Sequence, residues 1–139
     1  MGGGGRAKDR GVKRWGVLAV LLVVACQGHD KLPVGFTGTA TADLAALTKG
    51  ECAKVTEHFD PLMTDKLSTA GLCSAYRTYV EQFGDLAHQD KAYSVKRGEL
   101  TVVRIPLAMA RADGEFRETF HPDGTVAGIY LLKPGVPVP

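Results

Sequence analysis

The stretch LTVVRIPLAMARADGEFRETF, residues 100–120, decides the fold class of this chain. Its first half is rich in β-branched and apolar side chains, and its second half alternates charged residues with Phe116 and Phe120. A period of two residues is typical of a β-strand with one buried face. The Ala112-Asp113-Gly114 sequence between the halves is a hairpin turn signal. We therefore predict two antiparallel strands, at residues 100–109 and 115–120.

Two further predicted strands flank this hairpin in the sequence. Residues 92–96 precede it across an Arg97-Gly98-Glu99 connection, and residues 126–132 follow it after the turn sequence HPDG at 121–124. Pro106 has no backbone N–H to donate to a neighbouring strand, so its strand is predicted to lie at a sheet edge or to contain a bulge. The C-terminal half of the chain therefore predicts a four-stranded antiparallel sheet.

The preceding residues, 40–83, carry apolar side chains at helical spacing. Their segments end at the helix stop signals Lys49-Gly50, Asp60-Pro61 and Gly84, and the last segment begins at Ser68, a natural N-cap. Helices followed by an antiparallel meander define an α+β domain, in which the helices cover the apolar face of the sheet. We predict two or three N-terminal helices packed on a curved four-stranded antiparallel sheet.

The N-terminus has the three parts of an export signal. Residues 1–14 carry five basic residues and one acidic residue, an apolar run follows at residues 15–25, and small residues precede Cys26. The run falls short of the ~20 residues that a helix needs to span a membrane, so we predict a leader and not a permanent span. The Val23-Val24-Ala25-Cys26 sequence resembles the lipobox of bacterial lipoproteins, whose cysteine receives diacylglycerol. An ordinary secretory leader, cut nearby, is the alternative.

These signals divide the chain into four parts and predict where it works. The predicted location is the outer face of the cytoplasmic membrane, reached through the lipid anchor on Cys26, or the secreted fraction if the leader is an ordinary one. The predicted parts are residues 1–25 as a lipoprotein-type signal peptide, 26–38 as a flexible tether, 39–135 as a single α+β domain and 136–139 as a C-terminal tail.

The charge of the mature chain argues against nucleic-acid binding. The whole sequence holds 17 basic and 15 acidic residues, but residues 1–25 account for five of the basic and one of the acidic residues. Removal of the leader leaves 12 basic and 14 acidic residues, a net charge of −2. A protein that binds nucleic acid needs a basic surface, so we predict no nucleic-acid partner.

Cys52 and Cys73 are the cysteines that remain once Cys26 is assigned to the anchor. An even pair in an oxidising compartment is expected to form a disulfide. A metal or redox site is the alternative, but the two cysteines lie 21 positions apart and have neither CxxC spacing nor a histidine at a ligand offset. We predict a structural disulfide, no metal and no cofactor.

Four segments of the chain resemble a small exported module, domain-of-unknown-function family 3887. The resemblance runs from about residue 40 to residue 134, most of the mature domain. The segments that carry it read GECAKVTEHFD, LSTAGLCSAYRTYVEQFG, TVVRIPLAMARADGEFRETF and HPDGTVAGIYLLKP. The resemblance implies a cone-shaped fold shared with nuclear-transport-factor-like (NTF2-like) and cystatin-like domains. It implies no catalytic residue, and the occurrence of some relatives ahead of a hydrolase domain suggests an accessory role.

The sequence contains no motif that identifies a catalytic site, and the residues that could form one are few. No GxSxG, HExxH, P-loop or CxxC motif occurs in the sequence. A cone can enclose a pocket, and similar folds host isomerases and hydrolases in it. The charged candidates have a simpler interpretation as residues of a solvated helix face and of a helix stop. The tyrosines have a simpler interpretation as residues that pack in the core. The candidate pocket residues are His58, Asp60, Tyr76, Tyr79 and Tyr130.

Three functional hypotheses follow. The first is a lipid-tethered binding module for a small ligand or an envelope partner protein, without a catalytic residue. The second is an enzyme of the isomerase or hydrolase type, with His58 and Asp60 in acid and base roles, which requires an ionisable side chain inside the cavity. The third is association into a homodimer through the open sheet face, where alternation places Glu115, Arg117 and Thr119 outward. A secreted domain with a purely structural role is a further alternative.

Overall fold

The structure is a computed structural model in which residues 35–137 are described. Within that range four helices precede five strands, which confirms the α+β class. The helices are α1 (Gly35–Thr48), α2 (Cys52–Thr56), α3 (Pro61–Lys66) and α4 (Thr69–Phe83). The strands are β1 (Leu86–Gln89), β2 (Tyr93–Arg97), β3 (Leu100–Met109), β4 (Asp113–Phe120) and β5 (Val126–Leu132).

The five strands form one open antiparallel sheet, in which β3 is the central strand. On one side β3 pairs with β4, and β4 pairs with β5. On its other side β3 pairs with β2 along its first half and with β1 along its second half. Strand β5 is therefore an edge of this sheet, and the sheet has one strand more than predicted.

Pro106 lies in the central strand and not at an edge, contrary to the prediction. It is opposite Glu115 of β4, and its carbonyl oxygen accepts a hydrogen bond from the N–H of Asp90 at 2.9 Å. Asp90 lies in the break between β1 and β2. The neighbouring strand is therefore interrupted where residue 106 would otherwise have to donate an N–H, and this break makes the proline tolerable.

Two elements of the fold were not predicted from the sequence. Helix α3 begins at the Asp60-Pro61 pair, although in the sequence this pair predicts only the end of a helix. Asp60 Oδ1 accepts a hydrogen bond from the N–H of Met63 at 2.7 Å, and Pro61 occupies the first helical turn, where its missing N–H costs nothing. Strand β1 is the other element, and its sequence LAHQ lacks the alternation that identifies strands.

Ordered structure extends beyond residues 39 and 135, the two predicted ends of the domain. Helix α1 begins at Gly35, so residues 35–38 belong to the helix and not to the tether. Phe36 stacks on Phe120 of β4 with ring centroids 4.9 Å apart. At the other end, the guanidinium of Arg117 donates hydrogen bonds to the carbonyl oxygens of Val136 and Pro137. Residues 136–137 are thus bound to the sheet.

The hydrophobic core lies between the helices and one face of the sheet. Helix α4 begins and ends as predicted, since Ser68 Oγ accepts a hydrogen bond from the N–H of Gly71 at 3.0 Å and Gly84 ends the helix with a φ of 87°. A positive φ of this kind favours glycine. The largest fully buried apolar residues of the core are Leu44, Leu47, Leu72, Ile105, Phe116 and Phe120.

The predicted disulfide is present. Cys52, the first residue of α2, is bonded to Cys73 in the second turn of α4, and their Cα atoms lie 5.8 Å apart. Cys52 is buried and Cys73 is half-buried. The bond fixes a five-residue helix, too short to be stable alone, to the longest helix among the described residues.

The predictions for the leader, for most of the tether and for acylation of Cys26 lie outside the described residues. Among residues 35–137, no helix combines the length and the apolar character that crossing a bilayer would require.

Candidate binding groove

A groove with a volume of about 640 Å³ lies between helix α4 and the edge strand β5. We call it the α4–β5 groove. Residues 129–132 of β5 form one wall, and Leu67 and Leu72 contribute to the other. The rest of the helix wall consists of small or uncharged side chains, from Gly71, Ser74, Ala75, Thr78, Tyr79 and Gln82.

The shape of the groove follows from the sequence of α4. Gly71, Ser74, Ala75, Thr78 and Gln82 are spaced at helical intervals, so they lie along one face of α4. Four of these five side chains are no larger than threonine, and the helix surface therefore recedes beside β5. Ile129 and Leu131, which point toward the helices, are only half-buried, whereas Val126 at the start of the same strand is fully buried.

The lining of the α4–β5 groove contains no charged side chain. Its titratable groups are Tyr79 and Tyr130, and burial raises the pKa of Tyr79, so its hydroxyl stays neutral at ordinary pH. Three other cavities among residues 35–137 each have at least one charged residue in their lining, Lys49, Asp60 and Arg97 among them. The groove is therefore suited to an uncharged ligand.

Tyr79 lines the groove, and its hydroxyl group is bonded to the backbone of two strands. The hydroxyl donates a hydrogen bond to the carbonyl oxygen of Leu132 at 2.7 Å and accepts one from the N–H of Glu115 at 3.3 Å. Leu132 and Glu115 are opposite each other in β5 and β4. The tyrosine thus ties helix α4 to the end of the β4–β5 ladder, and this contact fixes the position of the helix beside the edge strand.

Gly114 makes room for the Tyr79 hydroxyl, so we expect Gly114→Ala to destabilise the domain. A Cβ atom at residue 114 would lie 1.9 Å from Tyr79 Oη but 3.1 Å from Cζ. Overpacking of this kind costs roughly 1–3 kcal/mol. Tyr79→Phe alone should cost on the order of 1–2 kcal/mol, since it leaves two backbone groups without a partner.

Unfolding by denaturant of the two single variants and the double variant would measure the coupling between these residues. Removal of the hydroxyl removes the 1.9 Å clash and leaves only the tight 3.1 Å contact with Cζ, so the double variant should lose less stability than the sum of the single variants. Additive losses would contradict the steric role of Gly114.

The structure brings only two of the five predicted pocket residues together. Tyr79 and Tyr130 both line the α4–β5 groove, Tyr79 as a buried residue and Tyr130 as an exposed one at the rim. Tyr76 lies on another side of α4, where it lines a separate, charged cavity with Cys73. Burial and the nearby Asp85 raise the pKa of Tyr76.

The two predicted acid–base candidates lie elsewhere. Asp60 caps α3, and its second carboxylate oxygen is 2.7 Å from Nε2 of His121. The Met63 N–H and His121 lower the pKa of Asp60. His58 lines none of the four cavities, and its carbonyl oxygen accepts the N–H of Val126 at 2.8 Å. His58 and Asp60 therefore make hydrogen bonds that stabilise the backbone between helices α2 and α3.

A buried pair of carboxyl groups, Asp43 and Glu118, was not predicted. Asp43 is 4% exposed and Glu118 is 0% exposed. Within residues 35–137 no donor reaches Oδ2 of Asp43 or either carboxyl oxygen of Glu118. A hydrogen bond between the two groups therefore requires that one of them carries a proton. Burial is the main cause that raises the pKa of both groups, and each also acts on the other.

The outward face of β4 was predicted to be an open sheet face, but Glu115 and Arg117 are buried there and Thr119 is half-buried. Glu115 and Arg117 point outward as predicted, but Arg117 is 1% exposed. Glu115 accepts hydrogen bonds from Arg104 at 2.5 Å and from Arg117 at 2.8 Å. Burial opposes ionisation of Glu115, but these arginines outweigh it and lower its pKa. Residues 136–137 complete the cover over Arg117.

Comparisons of this chain with protein-family models, with curated proteins and with solved structures found no match.

Proposed function

We propose that this protein is an exported, lipid-anchored binding module that holds an uncharged, largely apolar ligand in the α4–β5 groove. The observation that carries the proposal is the lining of that groove, in which aliphatic, small and hydroxyl side chains occur without a charged one. Ligand sites are concave and mostly apolar, with a few polar groups that orient the ligand. Ser74, Thr78 and Gln82 would supply those polar groups here.

The geometry favours binding over catalysis. An isomerase or hydrolase would need an ionisable side chain in contact with the ligand. In this groove the titratable side chains are the two tyrosines, and the hydroxyl of Tyr79 is already bonded to backbone groups on both strands. His58 and Asp60, the residues required by the enzyme hypothesis, do not line it.

The proposed location rests on the leader sequence. A basic segment, a short apolar run and Val23-Val24-Ala25-Cys26 together support export and acylation at Cys26. Anchoring would place the binding domain at the outer face of the cytoplasmic membrane, and a plain secreted domain is the alternative. Intact mass spectrometry of the chain from membranes tests the anchor, because an N-terminal Cys26 without acyl mass would exclude it.

The proposed fold family is the cone-shaped one, with a likeness to NTF2-like and cystatin-like domains. It is supported by helices on one face of an antiparallel sheet and by the register shifts between Leu86 and His88 and between Thr119 and Phe120, since bulges bend strands. The resemblance to domain-of-unknown-function family 3887 belongs to the same proposal.

Binding of indole, an uncharged and water-soluble apolar probe, tests the proposed function. We expect saturable changes in the backbone NMR signals of the groove walls, at residues 71–82 and 129–132, when indole is added to the full chain. Ala75→Phe fills the groove and should weaken indole binding at least tenfold.

Ala70→Phe is the matched control. Ala70 is exposed on the same helix but does not line the groove, so indole binding should be retained. Signal changes that do not saturate, or that are equal in the two variants, would contradict a binding site in the groove.

A further inference from the structure

The free edge of β5 borders the α4–β5 groove along its length. Strand β5 pairs with β4 on one side and has no strand on the other within residues 35–137. Residues 129–132 form one wall of the groove. The groove therefore offers a ligand two kinds of contact at once, namely apolar side chains and the unpaired backbone groups of an edge strand.

The start of this same edge already pairs with an extended segment of the chain. Val126 donates its N–H to the carbonyl oxygen of His58 at 2.8 Å, and its own carbonyl oxygen accepts the N–H of Asp60 at 2.9 Å. These bonds form a parallel bridge between Phe59 and Val126. The chain then turns away into α3, which begins at Pro61. The pairing along β5 therefore stops just before the groove begins.

A space of about 640 Å³ lies between helix α4 and the free edge of β5. Ile129 and Leu131 point toward the helices but are only half-buried. The small residues of α4 face the same space. Alternate side chains of an added strand would point into this space and complete the burial of Ile129 and Leu131.

We propose that the occupant of the α4–β5 groove is an extended, uncharged polypeptide segment that binds as a sixth strand against β5. This inference rests on the proposed function and specifies its ligand. Backbone groups of the peptide pair with the free edge, and alternate apolar side chains enter the groove, which is the recognition mode known as β-strand addition. The uncharged lining selects against acidic and basic side chains at the inward positions.

A second copy of the chain fits this groove less well. Its own β5 offers a free edge, but the side chains that would have to enter the groove are Val126, Ile129 and Leu131, which already pack against its own helices. The side chains of an unstructured peptide are not packed elsewhere. Such a peptide can supply both the backbone groups that pair with β5 and the side chains that enter the groove.

Selection from a displayed library of random heptapeptides on the full chain tests this inference. We expect enrichment of sequences without charged residues and with apolar residues at alternate positions. One enriched peptide is then synthesised in three forms, unmodified and with N-methyl groups on either alternate set of amides. Methylation of the set that faces β5 should weaken binding at least tenfold, whereas methylation of the other set should have little effect.

Several results would overturn the inference. Equal affinity of the two methylated peptides would show that no edge is paired, and retention of peptide binding in Ala75→Phe would place the peptide outside the groove. A dimer that forms through β5 and excludes the peptide would assign the edge to a second copy.

If no peptide is enriched while indole binds, the strand inference fails and the proposed function stands. If neither indole nor a peptide binds, the proposed function fails.

Discussion

Removal of the Cys52–Cys73 disulfide will lower the free energy of unfolding of this domain by about 3 kcal/mol, the value that the chain-entropy model gives for a loop of this size. The bond closes a loop between residues separated by 21 positions. It constrains the unfolded chain, and it also holds helix α2 against α4. A loss of this size corresponds to a fall in melting temperature of more than roughly 10 °C for a domain of about 100 residues.

Thermal unfolding of the double variant Cys52→Ala/Cys73→Ala, followed by circular dichroism, measures this loss. Alanine suits both helical positions and leaves no buried polar group. The unsubstituted chain with its disulfide reduced should melt at a similar temperature, which keeps the test valid if the double variant folds poorly. Ser74→Ala, at an exposed position next to Cys73 on the same helix, is the matched control and should leave the melting temperature unchanged. An equal melting temperature in reduced and oxidised protein would contradict the prediction.

The sequence predicted those elements whose signals are local. Ser68 and Gly84 mark the ends of α4 by their own hydrogen bonding and backbone conformation, and the hairpin of β3 and β4 follows from alternation around Gly114. Asp60-Pro61 is ambiguous, because an aspartate and a proline end one helix and begin the next with the same chemistry. Strand β1 forms because it pairs with β3, and the sequence of its own four residues does not predict this pairing.

The groove could not be predicted, because its width is a distance between elements far apart in the sequence. Periodicity identifies which residues of α4 share a face, but the spacing from α4 to β5 depends on Tyr79 reaching Leu132 across 53 positions. The buried carboxyl pair did leave a signal. Glu118 lies two residues from both Phe116 and Phe120, and alternation places it on the apolar face of β4.

The Asp43–Glu118 pair will make this domain less stable as the pH rises. Burial raises the pKa of both carboxyl groups in the folded protein, and the proximity of Asp43 raises that of Glu118 further. Between the ordinary carboxyl pKa and these raised values, the folded state holds more protons than the unfolded state. Stability therefore falls with pH across that interval, and is greatest below the ordinary pKa, where both states are protonated.

Other groups around the pair modify this dependence without reversing its sign. His58 lies near enough to Asp43 to favour its ionised form, and Glu57 acts against it. Elsewhere, Asp60 and Glu115 have lowered pKa values, so the stability they contribute is present at neutral pH and lost in acid. The whole protein should therefore be most stable at an intermediate pH, and a variant of Glu118 is needed to isolate the pair.

Glu118→Gln removes one titration and keeps a side chain that can donate a hydrogen bond to Asp43. We expect little change in stability at pH 5 and a gain on the order of 2 kcal/mol at pH 9, because the variant no longer has to bury a second carboxylate beside the first. Denaturant unfolding at pH 5, 7 and 9 measures both values. The slope of stability against pH should be flatter in the variant than in the unsubstituted chain.

Glu99→Gln is the matched control, since Glu99 is exposed in the connection between β2 and β3 and its substitution should leave the slope unchanged. Asp43→Asn removes the other titration and provides a second test if Glu118→Gln does not fold. A loss of stability in Glu118→Gln that is equal at all three pH values would show that the buried pair holds no shared proton. Packing alone would then account for the burial of the two carboxyl groups. Each group would have the same pKa in the folded and unfolded states.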